Sequence, residues 1–191
     1  MDDLHLIEQI KQGSEPAFRK LVEQHQRMVV NTCLGLVHDH DDANDLAQEV
    51  FIEVFNSAEQ FRGDSKISTW LYRIAVNRSL NFIRDNKKRS LFKRIEDVFT
   101  RKDSIAIEPS WQVEEADQNL QKQQKAAILH KAINSLPKNQ RVAFTLHKYD
   151  DLSYKEISEV MGVSLASVES LIHRAKKNLQ KKLYDCYKKD C

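Results

Sequence analysis

Residues 153–177 read SYKEISEVMGVSLASVESLIHRAKK. Ser153 and Glu156 have the spacing of a capping box, in which the hydroxyl accepts from the Glu156 backbone N–H and the carboxylate reaches back. Ile157, Val160 and Met161 then give a short helix its apolar face. Gly162 stands where a left-handed residue closes a helix, and Val163 can plug the core behind it. Ser164 caps a second helix that carries Leu165, Val168, Leu171, Ile172, Ala175 and Leu179 on one side. Short helix, glycine turn and longer helix predict a helix-turn-helix at about 153–172, whose second helix enters the major groove. Ser164, Ala166, Ser167 and Ser170 are small or hydroxylic and allow close approach to base edges. Arg174 and Lys177 suit phosphates or guanines. An ordinary helical hairpin with a solvated basic face would share the periodicity, but it does not require cap, turn and basic flank to coincide.

Working outward, the helical pattern resumes at about Gln123, breaks at Leu136-Pro137 with Pro at the first turn of the next helix, and continues through Val142, Phe144, Leu146 and Tyr149. Residues 87–121 lack sustained periodicity and hold Pro109, which reads as a linker. Before it, Phe18, Leu21, Val22, His25, Met28 and Val29 follow helical spacing. Ala43, Leu46, Ala47, Val50, Phe51, Val54 and Phe55 form one stripe of an amphipathic helix. A turn at Gly63-Asp64 leads into a helix expected over about Thr69 to Asn86. With only 4 Gly and 3 Pro in 191 residues, long helices are favoured over many strands. The expected architecture is all-α, with two helical domains, 1–90 and 123–191, joined by a flexible linker, 91–122.

Net charge is +2, and its distribution says more than its sum. No Lys or Arg occurs between Met28 and Phe61, while Asp39 to Glu59 holds seven acids. Arg73 to Arg94 holds eight basic residues and one acid, and Leu171 to Lys189 holds seven and one. One acidic and two basic segments imply different partners at different places. Asp45, Gln48, Glu49 and Glu53 lie opposite the apolar stripe, as a solvated face or as a docking surface for a basic protein. Phe61 to Lys66 leads into Ser68-Thr69-Trp70-Leu71-Tyr72-Arg73, aromatics beside cations as single-stranded nucleic acid requires. The same aromatics on a helix are more often core than stacking platform.

His38-Asp39-His40-Asp41-Asp42 reads as helix capping before it reads as a metal site. Cys33 falls in an apolar stretch, while Cys186 and Cys191 fall in a basic tail without a CxxC pair. The sequence contains no P-loop, GxSxG, HExxH or dinucleotide fingerprint, so no enzyme, metal or cofactor is expected. No apolar run approaches the ~18 residues of a membrane span. The acidic start, Met1-Asp2-Asp3, lacks signal-peptide order, so a cytoplasmic location is expected.

These residues resemble a known family. Asp45-Leu-Ala-Gln-Glu-Val-Phe-Ile-Glu-Val-Phe55 resembles the most characteristic helix of sigma region two. Phe61-Arg-Gly-Asp-Ser65 with Thr69-Trp-Leu-Tyr-Arg-Ile-Ala-Val-Asn77 resembles the promoter-melting part of extracytoplasmic-function sigma factors. Leu136 to Arg141, Leu152 to Ile157 and Val168 to Ala175 resemble their region four. The resemblance implies a subunit that gives RNA polymerase its promoter choice. Asp45, Gln48, Glu49, Ile52 and Glu53 would bind the clamp coiled coil of the largest polymerase subunit. Phe61, Arg62, Gly63, Asp64, Ser65 and Lys66 would pocket a flipped base of the minus-ten element, with Thr69, Trp70, Tyr72, Arg73 and Asn77 guiding the strand. Tyr154, Ser164, Ala166, Ser167, Ser170, Arg174 and Lys177 would meet the minus-thirty-five element, with region four on the polymerase flap. The linker would thread toward the active-site and RNA-exit channels, and an anti-sigma factor would hold the free protein. Trp70 is followed by Leu71 where primary sigma factors carry two adjacent Trp, which implies weaker melting and a stricter promoter. Glu169 and Leu171 replace basic residues of many members, so the promoter sequence cannot be carried over. A free-standing helix-turn-helix regulator would account for residues 126–184 but not for the acidic helix or the aromatic loop.

Overall fold

The computed structural model describes the backbone of residues 3–100 and 117–188 and the side chains of residues 4–89 and 125–184. Every regular element among them is helical. The first half contains α1 (Asp3–Lys11), α2 (Glu15–Val37), α3 (His40–Ser57), a 3-10 turn at Ala58–Gln60 and α4 (Ile67–Thr100). The second contains α5 (Asp117–Asn134), α6 (Lys138–Lys148), α7 (Tyr154–Met161) and α8 (Leu165–Lys188).

Local chemistry sets the helix ends. Ser14 accepts from the Ala17 N–H at 3.4 Å to start α2. That helix stops at His38, whose φ of 64° places it in the left-handed region while its N–H bonds the Leu34 carbonyl. One residue on, the Asp39 carboxylate accepts from the N–H groups of Asp41 and Asp42, each at 3.0 Å. The His38–Asp42 run is thus a stop and a start, and no group of three His, Cys, Asp or Glu among the described residues is placed to hold a metal ion. The Ser153–Glu156 capping box forms in both directions, and Gly162 has φ 64°. Pro137 takes the N-cap of α6 rather than its first turn.

In the first half, Leu21, Val29, Val50, Val54, Ile67 and Leu71 are buried in one core. Cys33 joins it, and burial pushes its thiol up to about 11, which removes its nucleophilic form at neutral pH. In the second half Ile133, Leu136, Ala175 and Leu179 tie α5 to α8. A third cluster spans both halves, joining Leu36, Tyr72, Val76 and Leu80 to Val142, Leu146 and Val160.

The helix expected over Thr69–Asn86 is longer, Ile67–Thr100. No Gly or Pro interrupts the chain between Gly63 and Pro109, and Lys87, Lys88 and Arg89 favour helix. The first part of the expected linker therefore continues α4, and α5 begins at Asp117. Residues 101–116, with Pro109, lie outside the described residues, as do the side chains of Cys186 and Cys191.

Candidate nucleic-acid and docking interfaces

The α3 stripe turns Ala43, Leu46, Ala47, Val50, Phe51 and Val54 inward. The opposite face presents Asp45, Gln48, Glu49 and Ile52 to solvent. Ile52 is 60% exposed and Phe55 46%, an unusual exposure for large apolar side chains on a well-packed helix. Phe55 also meets Phe18 edge to face at 5.2 Å. Glu53 is half-buried, and its carboxylate accepts from Arg78 Nε, while Glu49 lies 3.4 Å from Arg78 Nη1. Arg78, one of the eight basic residues between Arg73 and Arg94, thus braces α3 against α4.

The loop after α3 is held at both ends. Phe61 is buried and stacks obliquely on half-buried Trp70, ring centres 4.9 Å apart. Gly63 has φ 80°, a backbone conformation that favours glycine, and its Cα packs beside the exposed Leu4 side chain. Between these anchors Arg62, Asp64 and Lys66 are exposed and Ser65 is half-buried. The loop is thus a fixed rim of polar groups rather than an aromatic platform. Thr69 and Tyr72 are buried. Arg73 and Asn77 are exposed one turn apart, and both line a cleft shared with Lys138, Asn139, Met161 and Gly162 of the second half.

On the helix-turn-helix, Val168, Ile172, Ala175 and Leu179 bury the inner face of α8. Ser164, Ala166, Ser167, Glu169, Ser170, Arg174 and Lys177 are exposed. The Ser164 hydroxyl accepts from the Ser167 N–H at 3.2 Å and meets the Ser167 hydroxyl at 2.8 Å. Ser164 is therefore committed to capping, leaving Ala166, Ser167, Ser170 and Arg174 around a groove closed by Asn139 and Val163. Tyr154 is half-buried and packs edge to face on His147, so it supports α7 from behind.

Two interfaces of opposite charge on one helical chain narrow the possibilities, and comparison with known proteins decides. Residues 21–89 match the Sigma-70 region 2 family and residues 120–179 match Sigma-70 region 4. The chain is 33% identical over 183 residues to the RNA polymerase sigma-H factor of Pseudomonas aeruginosa, covering 95% of this chain and 93% of that one. It is 31% identical over 183 residues to the ECF RNA polymerase sigma-E factor of Escherichia coli, covering 96% and 95%. The chain belongs to the extracytoplasmic-function sigma factors. Among solved structures its fold is similar to CnrH in complex with the cytosolic domain of CnrY, with a TM-score of 0.64 at 20% identity over 96% of this chain and 97% of that one. It is also similar to the sigma factor RpoE in complex with the anti-sigma factor NepR from Bartonella quintana, at 0.56 and 24% over 87% and 96%.

A sigma factor binds core RNA polymerase and directs promoter-specific initiation, and a free-standing regulator is set aside because both regions match in order. No described helix of this sigma factor is long and apolar enough to cross a membrane. Sequence reasoning missed the contacts between its two halves and the Arg78 brace. One signal for the former was legible: an isolated glycine in a helical run, Gly35, commonly marks a close approach.

Proposed function

We propose that the division of labour follows the two regions, with 1–90 docking on polymerase and handling the minus-ten strand and 123–191 reading the upstream duplex. The observation that carries the docking assignment is the exposed pair Ile52 and Phe55, set among Asp45, Gln48 and Glu49 on a helix that itself contains no Lys or Arg. Apolar anchors inside a charged rim are the anatomy of a binding hot spot. The clamp coiled coil of the largest subunit is the partner that family membership supports. Glu53 contributes by holding Arg78, so Gln48→Ala with Ile52→Ala is the cleaner test than reversing charge at Glu49. This variant should weaken core binding roughly tenfold in a fluorescence titration. Its melting should stay within about 0.5 kcal/mol of wild type, because both residues are exposed. Unchanged core affinity would remove α3 from the interface.

Upstream recognition rests on Ala166, Ser167 and Ser170 at base edges and on Arg174 and Lys177 at phosphates. Arg174→Ala and Lys177→Ala should each lower holoenzyme affinity for promoter duplex. Each should also flatten its dependence on log salt by about one unit per lost phosphate contact. A slope equal to wild type for both would displace α8 from the groove. The protein acts without a catalytic residue of its own, in the cytoplasm, and family membership supports an anti-sigma factor as its regulator. The chain that joins α4 to α5 would run within polymerase.

A further inference from the structure

Helix α8 starts at a fixed rotation. The Ser164 cap holds its first turn, and fully buried Val168 and Ile172 lock its inner face. That rotation leaves Leu165, Glu169 and His173 exposed at i, i+4 and i+8. Ala166 and Ser170 form the next stripe round the helix. Leu165 is the first residue of α8 and is 55% exposed, although Leu171 is half-buried and Leu179 buried on the same helix. Among the described residues Glu169 makes no hydrogen bond or ion pair, although Arg174 stands only five residues on. Both side chains are thus free of the protein at the end of the helix that meets base edges.

Two groups of the major groove match these two side chains. The cytosine N4 amino group donates, and a carboxylate accepts. The thymine methyl group is apolar, and an apolar side chain that covers it removes both from water. Adenine N6 also donates, but it sits beside the N7 acceptor, which repels a carboxylate and suits an amide instead. The surrounding phosphates repel a carboxylate as well. A glutamate in the groove therefore raises affinity for a site only where a base donates to it. Residues four apart on a helix are ~6 Å apart along its axis. Base pairs are stacked ~3.4 Å apart. Leu165 and Glu169 therefore reach base pairs one or two steps apart.

We propose that Glu169 and Leu165 set the sequence preference of the upstream element, Glu169 by accepting from a cytosine N4 amino group and Leu165 by covering a thymine methyl group one or two base pairs away. This inference rests on the placement of α8 in the upstream major groove. Ala166 and Ser170 beside the stripe allow the helix to approach closely, and Arg174 and Lys177 hold it on the phosphates.

The test is selection by reconstituted holoenzyme from promoters whose upstream element is randomised, with the retained sequences counted. Wild type should retain cytosine at one position about tenfold over any other base. Glu169→Gln replaces the carboxylate by an amide and should move the preference at that position from cytosine to adenine, leaving the other positions alone. Glu169→Ala should accept every base there. Leu165 is tested on the selected promoter by replacing the thymine with uracil, which removes only the methyl group. The change should weaken wild-type binding roughly fourfold and leave Leu165→Ala indifferent. Both residues are exposed, so these variants should fold as wild type does. Were Glu169 only repelled by phosphates, Gln would strengthen binding to every sequence alike with the preference unchanged, and that result would overturn the proposal. An equal loss from uracil in wild type and Leu165→Ala would overturn the thymine contact. A wild-type holoenzyme that retains no upstream sequence would overturn the placement of α8, and this inference with it. Upstream selection by wild type that Glu169→Gln and Glu169→Ala leave unaltered would fault the assignment of Glu169 alone.

Discussion

Replacing Asp64 and Ser65 together by Ala is expected to reduce open-complex formation on the order of 30- to 150-fold while upstream duplex binding survives. A base leaves the duplex at a cost of a few kcal/mol, which contacts in its pocket must offset. Each hydrogen bond contributes about 1–1.5 kcal/mol, more where the acceptor is charged, so losing two removes about 2–3 kcal/mol. The structure leaves little elsewhere to compensate. Phe61 is buried against Trp70, Leu71 is fully buried, and Tyr72 is covered by the second half, so stacking surface near the loop is limited to the open edge of Trp70. Asp64 is exposed and Ser65 makes no described contact that shapes the loop, whose form is set by Phe61 and Gly63. The double variant should therefore fold normally. Permanganate reactivity of the minus-ten thymines in holoenzyme would report the loss. A template with a pre-melted bubble should restore most of it, because the pocket acts on opening. Wild-type reactivity on closed duplex would remove this loop from melting.

The helix-turn-helix was legible because its signals are local. The capping box lies within four residues, the left-handed stop is a single glycine, and the apolar face of α8 repeats through Leu179. The α3 stripe was legible for the same reason, except at Phe55, whose ring rests on Phe18 yet stays half open. Periodicity reports that a face is covered but not by what. Tyr72, Val76 and Leu80 read as helical core, and nothing in their spacing says that the covering element comes from the other half of the chain. Likewise Arg78 sits among cations in sequence, and only the packing of α4 on α3 brings it to Glu49 and Glu53. The extent of α4 was underestimated because a polar run was read as linker, although it lacks the residues that stop a helix.

Asp150→Asn is expected to stabilise the chain by about 2–3 kcal/mol near pH 7.5, with the gain fading toward pH 4. Asp150 follows α6 and meets α2 of the other half. The Thr32 Oγ1 lies 3.0 Å from Asp150 Oδ1 and 2.9 Å from the Met28 carbonyl. One hydroxyl proton cannot serve two acceptors. If Asp150 is protonated, it donates to Thr32, which donates to Met28, and the chain of bonds is complete. Burial drives the same way and lifts the carboxyl from 3.8 to about 6, helped by Asp151 and opposed by the Thr32 bond. Its Oδ2 is buried without a partner. Burial, aided by the Asp150 charge, pushes Cys33 up to about 11 and Tyr72 up to about 12, so both stay protonated throughout this range. A raised native pKa means that the contribution of Asp150 is fully present below 3.8 and is lost as pH rises through about 6. Asn keeps the favourable form at every pH, because its Nδ2 donates where the protonated acid did. For a chain of this size the gain corresponds to roughly 4–12 °C in Tm. His38 acts in the opposite sense: burial, His130 and Arg141 lower it from 6.5 to about 4, so its contribution is present above 6.5 and lost as pH falls through about 4. In the wild type the two largely offset each other between about pH 4 and 6, whereas the Asn variant retains only the acid-labile term and should lose stability more steeply on acidification. Calorimetric melts of both proteins from pH 4.5 to 7.5 would show converging curves; an Asn variant less stable than wild type at pH 7.5 would mean that the folded chain solvates the ionised Asp150 without cost.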